Sequence, residues 1–107
     1  SELALSNGFA YLLKIALITS KSLWDDLKIN NIDLMVIDTE GYELNVLKGG
    51  IETIVRDKPL LIIEVHKNKD LTSRYGYKKE EIIKFLEEIG YKARGYINKD
   101  VDLLFTC

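Results

Sequence analysis

Five residues of this chain combine chemistry with suggestive spacing: Asp38, Glu40 and Glu43 in one tight group, then Glu64 and His66 further on. Carboxylates and an imidazole brought together support three kinds of chemistry. They can ligate a hard metal ion through oxygen, take a proton from a hydroxyl or amine as general base, or hold a polar substrate. Each group is preceded by an apolar run. Ile32-Asp33-Leu34-Met35-Val36-Ile37 leads into Asp38, and Leu60-Leu61-Ile62-Ile63 leads into Glu64.

Runs that dense do not fit a strand with one wet face. They predict strands at residues 32–37 and 60–65 buried on both sides, as in a parallel sheet covered by helices. In open α/β sheets ligands bind just beyond the carboxyl ends of the strands. If the two strands are neighbours, their terminal acids and His66 share one crevice. Asp38 and Glu40 point the same way if extension persists, and Thr39 points opposite. Gly41 permits a turn, which puts Glu43 in the first turn of the next helix, where the helix dipole favours its charge.

Structural roles compete with each of these. Glu43 is also a simple helix-starting acid, and Glu40 before Gly41 a solvated turn residue. Glu64 needs a partner wherever it is buried, because an unpaired buried charge is costly; a structural ion pair would serve as well as a catalytic one. His66, the only histidine, can be a hydrogen-bonded loop residue. Tyr42 either lines the crevice floor or packs.

The elements that position these residues follow from patterning. Ser6-Asn7-Gly8 marks a turn, and Phe9 to Ile18 is apolar enough for helix or strand. Ser22 with Asp25 resembles a capping box opening a short helix through Leu27. Leu44, Leu47, Ile51 and Ile54 recur at helical spacing, interrupted at Gly49-Gly50, so two short helices with a kink compete with one. Pro59 suits the first position of the second strand. Asn68 to Tyr77 reads as a polar crossover loop. Lys79 to Ile89 is a helix with Ile82, Phe85, Leu86 and Ile89 on one stripe and Glu80 and Lys84 paired on the wet face, stopped by Gly90. Tyr91 to Ile97 and Val101 to Thr106 form a hairpin about Asn98-Lys99-Asp100. Alternating strands and helices give an α/β fold with a largely parallel sheet closed by an antiparallel hairpin. No linker or repeat divides residues 1–107, which read as one domain.

Composition narrows the function classes. Hydrophobic residues at 47% and charged residues at 30% describe a globular domain rather than a disordered chain. A net charge of −2, with basic and acidic residues interspersed, argues against a nucleic-acid partner. No apolar run reaches the ~18 residues of a membrane helix, and Phe9 to Ile18 is interrupted by Lys14. The one cysteine, Cys107, ends the chain and cannot form an internal disulfide. A reducing cytoplasm fits this pattern.

Three blocks in order resemble one family. Ile32 to Gly49, reading IDLMVIDTEGYELNVLKG, is similar to the signature of FkbM-type methyltransferases, a strand running into D-x-E-G-x-E and a leucine-lysine-glycine helix. Lys58 to His66 resembles that family's K-P-x-hydrophobic-E-x-H strand. Ser22 to Leu27 is similar to its S/T-L-D-D-L segment, with Trp24 as a departure. The resemblance implies a Rossmann-like class I methyltransferase sheet and S-adenosylmethionine as cofactor. The methyl acceptor it implies is a small molecule or glycan, through a hydroxyl of a sugar, lipid or secondary metabolite. Carried over by position, Asp38, Glu40, Glu64 and His66 become catalytic candidates, with Asp38 the first choice for deprotonation, and Tyr42 and Glu43 substrate contacts.

One departure is large. None of the seven glycines forms the glycine-rich turn that holds the cofactor in this family. The chain resembles the carboxyl-terminal half of the fold, with Ala4 to Gly8 a remnant of the preceding strand end. Its start at Ser1 fits a trimmed chain, a fragment or methionine removal. Two other readings follow. A non-enzymatic remnant would leave the strand of residues 32–37 as a bare hydrophobic edge, so that the chain self-associates or Phe9 to Ile18 folds back over it. A metal-dependent hydrolase using Asp38, Glu40, Glu64 and His66 stands behind both, since it lacks a second histidine and a basic patch.

Overall fold

A computed structural model describes residues 31–107 in full and, ahead of them, the backbone of two strands at residues 2–6 and 9–18. The apolar runs form the strands expected of them. β1 (Glu2–Ser6) and β2 (Phe9–Ile18) come first, followed by β3 (Leu34–Ile37) and β4 (Leu60–Glu64), and then β5 (Lys92–Asn98) and β6 (Asp102–Thr106) as the closing hairpin. They make one six-stranded sheet in the order β1-β2-β3-β4-β6-β5. β2, β3 and β4 are parallel neighbours, while β6 runs antiparallel to both β4 and β5. This is a partial Rossmann-like sheet closed by an antiparallel hairpin.

Phe9 to Ile18, open between helix and strand by pattern, is a strand, and it pairs with β3 from Ile15↔Leu34 to Ile18↔Ile37. Of the two outcomes expected for the β3 edge, self-association or cover by Phe9 to Ile18, the structure shows the cover. Residues 2–6, weakly patterned in sequence, form a strand antiparallel to β2. The capped helix expected at Ser22 to Leu27 lies outside the described residues, as do Asn7 and Gly8.

The glycine pair does divide the next helix. α1 (Glu43–Gly49) ends where the Gly50 N–H donates to Val46 and Leu47 carbonyls, and α2 (Ile51–Asp57) starts immediately beyond. Lys58, at φ 49, ends α2 in the left-handed region. Asp57 then accepts a 3.1 Å bond from the Ile32 N–H, tying the helix end to the approach to β3. In the crossover after β4, residues Thr72–Tyr75 form a 3-10 turn before α3 (Glu80–Glu88).

The helices cover one face of the sheet. Met35 and Ile37 of β3, Leu61 and Ile63 of β4, and Leu103 and Phe105 of β6 are buried in one cluster with Leu44, Leu47, Ile54, Ile82 and Leu86. Alternation sends Leu34, Val36, Ile62 and Leu104 to the opposite face, where they are only half-buried, and Leu60 there is 48% exposed. The registers Val36↔Ile62 and Ile62↔Leu104 line three of these up as one apolar row.

Candidate functional site

Parallel pairing of β3 with β4, in the register Ile37↔Ile63, brings Asp38 and Glu64 to the same end of the sheet. Both continue the row of Val36 and Ile62, so they open toward the face that the described helices leave uncovered. Glu43 reaches the same point from the start of α1. Asp38, Glu43 and Glu64 each offer a carboxylate oxygen within 4.8 Å of the others.

The three acids differ in what they touch. Glu43 is 1% exposed. Its Oε2 accepts from the Thr39 N–H at 2.7 Å and its Oε1 from the Gly41 N–H at 2.9 Å. It therefore holds the turn between β3 and α1 from inside. Asp38 is exposed. Glu64 lies between them with its side chain 11% exposed, accepting from the Glu40 N–H at 3.1 Å. Its Oε2 shares a 2.7 Å hydrogen bond with His66 Nε2.

Burial first, and then the adjacent Asp38 and Glu43, push the Glu64 carboxyl up to about 8, well above the ordinary range. The Glu40 N–H opposes that rise and is outweighed. Glu64 thus keeps its proton at neutral pH beside the exposed Asp38, with His66 on the far side of Glu64. The result is a hydrogen-bonded chain from an exposed carboxylate to an imidazole, able to accept a proton at the crevice and spread its charge.

Glu40 does not join the cluster through its side chain. The extension expected to align it with Asp38 ends there: Glu40 turns at φ 53 and Gly41 at φ 106. What Glu40 supplies to Glu64 is its backbone N–H. Tyr42 is half-buried at the start of α1, edge-on to Tyr75 with ring centroids 5.0 Å apart.

Three contributors are not singled out by pattern: Asp70 and Tyr77 fall in a segment that reads as a polar loop, and Lys79 reads only as the start of a helix. Tyr77 donates to the Gly41 carbonyl at 2.5 Å and accepts from the Leu44 N–H at 3.1 Å, clamping the acid-bearing turn. Burial raises its hydroxyl to about 12, so it stays a donor. Asp70 accepts from both the backbone N–H and the hydroxyl of Thr72, and from the Lys79 N–H. Lys79 holds the carbonyls that follow β4. The Asp70-x-Thr72 spacing, an Asx-type turn, is the one local clue.

Among the described residues no helix is long and apolar enough to cross a membrane. No curated protein and no solved structure matches the chain. The family model for the methyltransferase FkbM domain matches residues 13–93, from within β2 to the start of β5, and so takes in both acid-bearing strand ends and everything between them. That match covers most of the chain, which belongs to the FkbM methyltransferase domain family.

Proposed function

We propose that this chain is the acceptor-side part of an S-adenosylmethionine-dependent methyltransferase that acts on a hydroxyl of a sugar, lipid or secondary metabolite. One observation carries the reading: the Asp38–Glu64–His66 chain stands at the carboxyl ends of two parallel neighbouring strands. A hydroxyl that attacks a methyl group must lose its proton, and the base must lie within hydrogen-bond reach of it. Asp38, the exposed member, meets the acceptor. Glu64 and His66 behind it take up the charge, and Glu40 contributes through its N–H to Glu64. Glu43 and Tyr42 shape the acceptor side, Glu43 by holding the turn that carries Asp38 and Tyr42 as a half-buried aromatic rim.

S-adenosylmethionine supplies an electrophilic methyl group when bound. The described residues do not fit it as a whole. The pocket beside the acids is small, lined by Glu43, Glu64, His66 and Asp70 together with Val65 and Leu71 among others. It is too small to enclose an adenine ring, and the one glycine lining it, Gly41, serves the turn between β3 and α1. The cofactor's adenosyl part therefore needs residues other than these.

In our reading those residues belong to a further layer packed on the row of Val36, Ile62 and Leu104. Parallel strands are ordinarily covered on both faces, and this row runs directly into Asp38 and Glu64. Residues 1–107 then form the carboxyl-terminal part of one domain.

The test is transfer of a labelled methyl group from S-adenosylmethionine to a panel of hydroxyl acceptors by the natural protein that carries this chain. Asp38→Asn and Glu64→Gln should each lower kcat by about 10²–10⁴. Full activity in both would remove the proposed base. Calorimetry on residues 1–107 alone should show little or no cofactor binding, and submicromolar affinity would overturn the division of labour.

A further inference from the structure

We propose that Lys79 is a positioning residue for His66, fixing the imidazole against Glu64 from a site on a different element. Its ammonium donates to the carbonyls of His66 at 2.7 Å, Lys67 at 2.9 Å and Lys69 at 3.1 Å. An ammonium has three donors and no acceptor, so all three are spent on one loop. The arrangement runs against local preference. Lys79 occupies the N-cap position of α3, where the helix dipole disfavours a cation; the three carbonyl dipoles offset that cost.

The other side of the loop is held by the hairpin. The Val65 and Lys67 N–H groups donate to Val101 and Asp100 carbonyls at 2.9 and 2.8 Å. The Tyr96 hydroxyl donates to the Val65 carbonyl at 2.8 Å. The carbonyl of His66 itself is held by Lys79. Without the ammonium, three converging carbonyl oxygens face one another with nothing between them. The loop then opens, and the 2.7 Å contact of His66 Nε2 with Glu64 is no longer enforced. Arginine does not replace lysine here, because its planar fork spreads its donors instead of converging them on three carbonyls.

The role of His66 in proton removal rests on the proposed function, but its orientation by Lys79 does not, and the two are read separately. The experiment records the ¹⁵N signals of the two His66 ring nitrogens in the wild type, Lys79→Met and the exposed control Lys78→Met, with far-UV circular dichroism to confirm folding. Lys79→Met should draw the two ring signals toward each other as the imidazole loses its fixed partner, while Lys78→Met keeps the wild-type pattern. Wild-type signals in a folded Lys79→Met overturn the proposal and show that the hairpin bonds suffice. Should Lys79→Met fail to fold, Lys79→Arg carries the same test: converging signals support the role and unchanged ones overturn it. In the methyl-transfer assay, Lys79→Met should lower kcat about ten- to a hundredfold with KM little changed, the loss expected of a misplaced group. Inactivity of the wild type there, with the ring signals still converging, would count against the methyltransferase reading and not against Lys79.

Discussion

The carbonyl oxygen of Leu71 lies 2.2 Å from where a β-carbon on Gly41 would stand. Gly41 also has φ +106, a conformation that side chains resist. Two segments, the turn after β3 and the loop before the 3-10 turn, are thus pressed together at a point only glycine can occupy. Gly41→Ala should cost at least about 2 kcal/mol, since strain and clash act together. A urea melt checks this: the midpoint should fall with an unchanged slope, and a midpoint within error of wild type would mean the turn is free to move.

Glu43 makes a second claim about the same turn. A glutamine keeps its shape but presents an NH₂ where one oxygen now accepts from Thr39 or Gly41. One buried N–H is left without an acceptor, at a cost of about 1–3 kcal/mol. Glu43→Gln should therefore destabilise the fold by that amount. It should also lower the Glu64 carboxyl, because the Glu43 charge is one of the causes holding it up. Carboxyl ¹³C titration of Glu64 reads the second effect independently of the first. A neutral effect on both would place Glu43 among solvated helix-starting acids.

Glu64 links the site to pH. Its carboxyl is raised in the folded chain to about 8, by burial and by Asp38 and Glu43, with His66 as its remaining facing group. In the unfolded chain it titrates near the ordinary value of about 4.3. Between those two values the unfolded state gives up its proton while the folded state keeps it. The unfolded state then binds fewer protons, so stability falls as pH rises through that window and levels off above it. The contribution is fully present below about pH 4.3, and its loss amounts to about a few kcal/mol at most. Glu64→Gln should flatten this part of the stability curve. Parallel wild-type and variant curves from pH 4 to 9 would show that Glu64 is ionised throughout.

These predictions also mark what could be read from the residues alone. β3 and β4 were legible because a dense apolar run ending in an acid leaves few alternatives, and the break at Gly49-Gly50 because two glycines weaken a helix locally. The meeting of Asp38 with Glu64 follows from the parallel pairing of those two strands. Phe9 to Ile18 stayed ambiguous because its pattern suits either element, and pairing with β3 decides it. Glu43 was readable as a helix-starting acid but not as the inner brace of its own turn, which depends on the positive φ of Glu40 and Gly41. Tyr77 and Lys79 act across more than thirty and more than ten residues respectively, and no local pattern encodes such reach.

The two faces of β4 give the last prediction. Ile63 is fully buried in the cluster beneath the helices, whereas Ile62, its immediate neighbour, stands between Val36 and Leu104 on the opposite face. Truncating a core isoleucine to alanine removes buried contacts and leaves a cavity, costing about 2–5 kcal/mol. A side chain with one side open loses less, because water already reaches it. In residues 1–107 alone, Ile63→Ala should cost that full amount and Ile62→Ala under about 1.5 kcal/mol. If the proposed further layer packs on this row in the natural protein, the two costs should converge there, since the same methyl groups are then enclosed. Equal costs already in the isolated chain would mean that this row is covered without any further layer, and the place proposed for the rest of the enzyme would be taken.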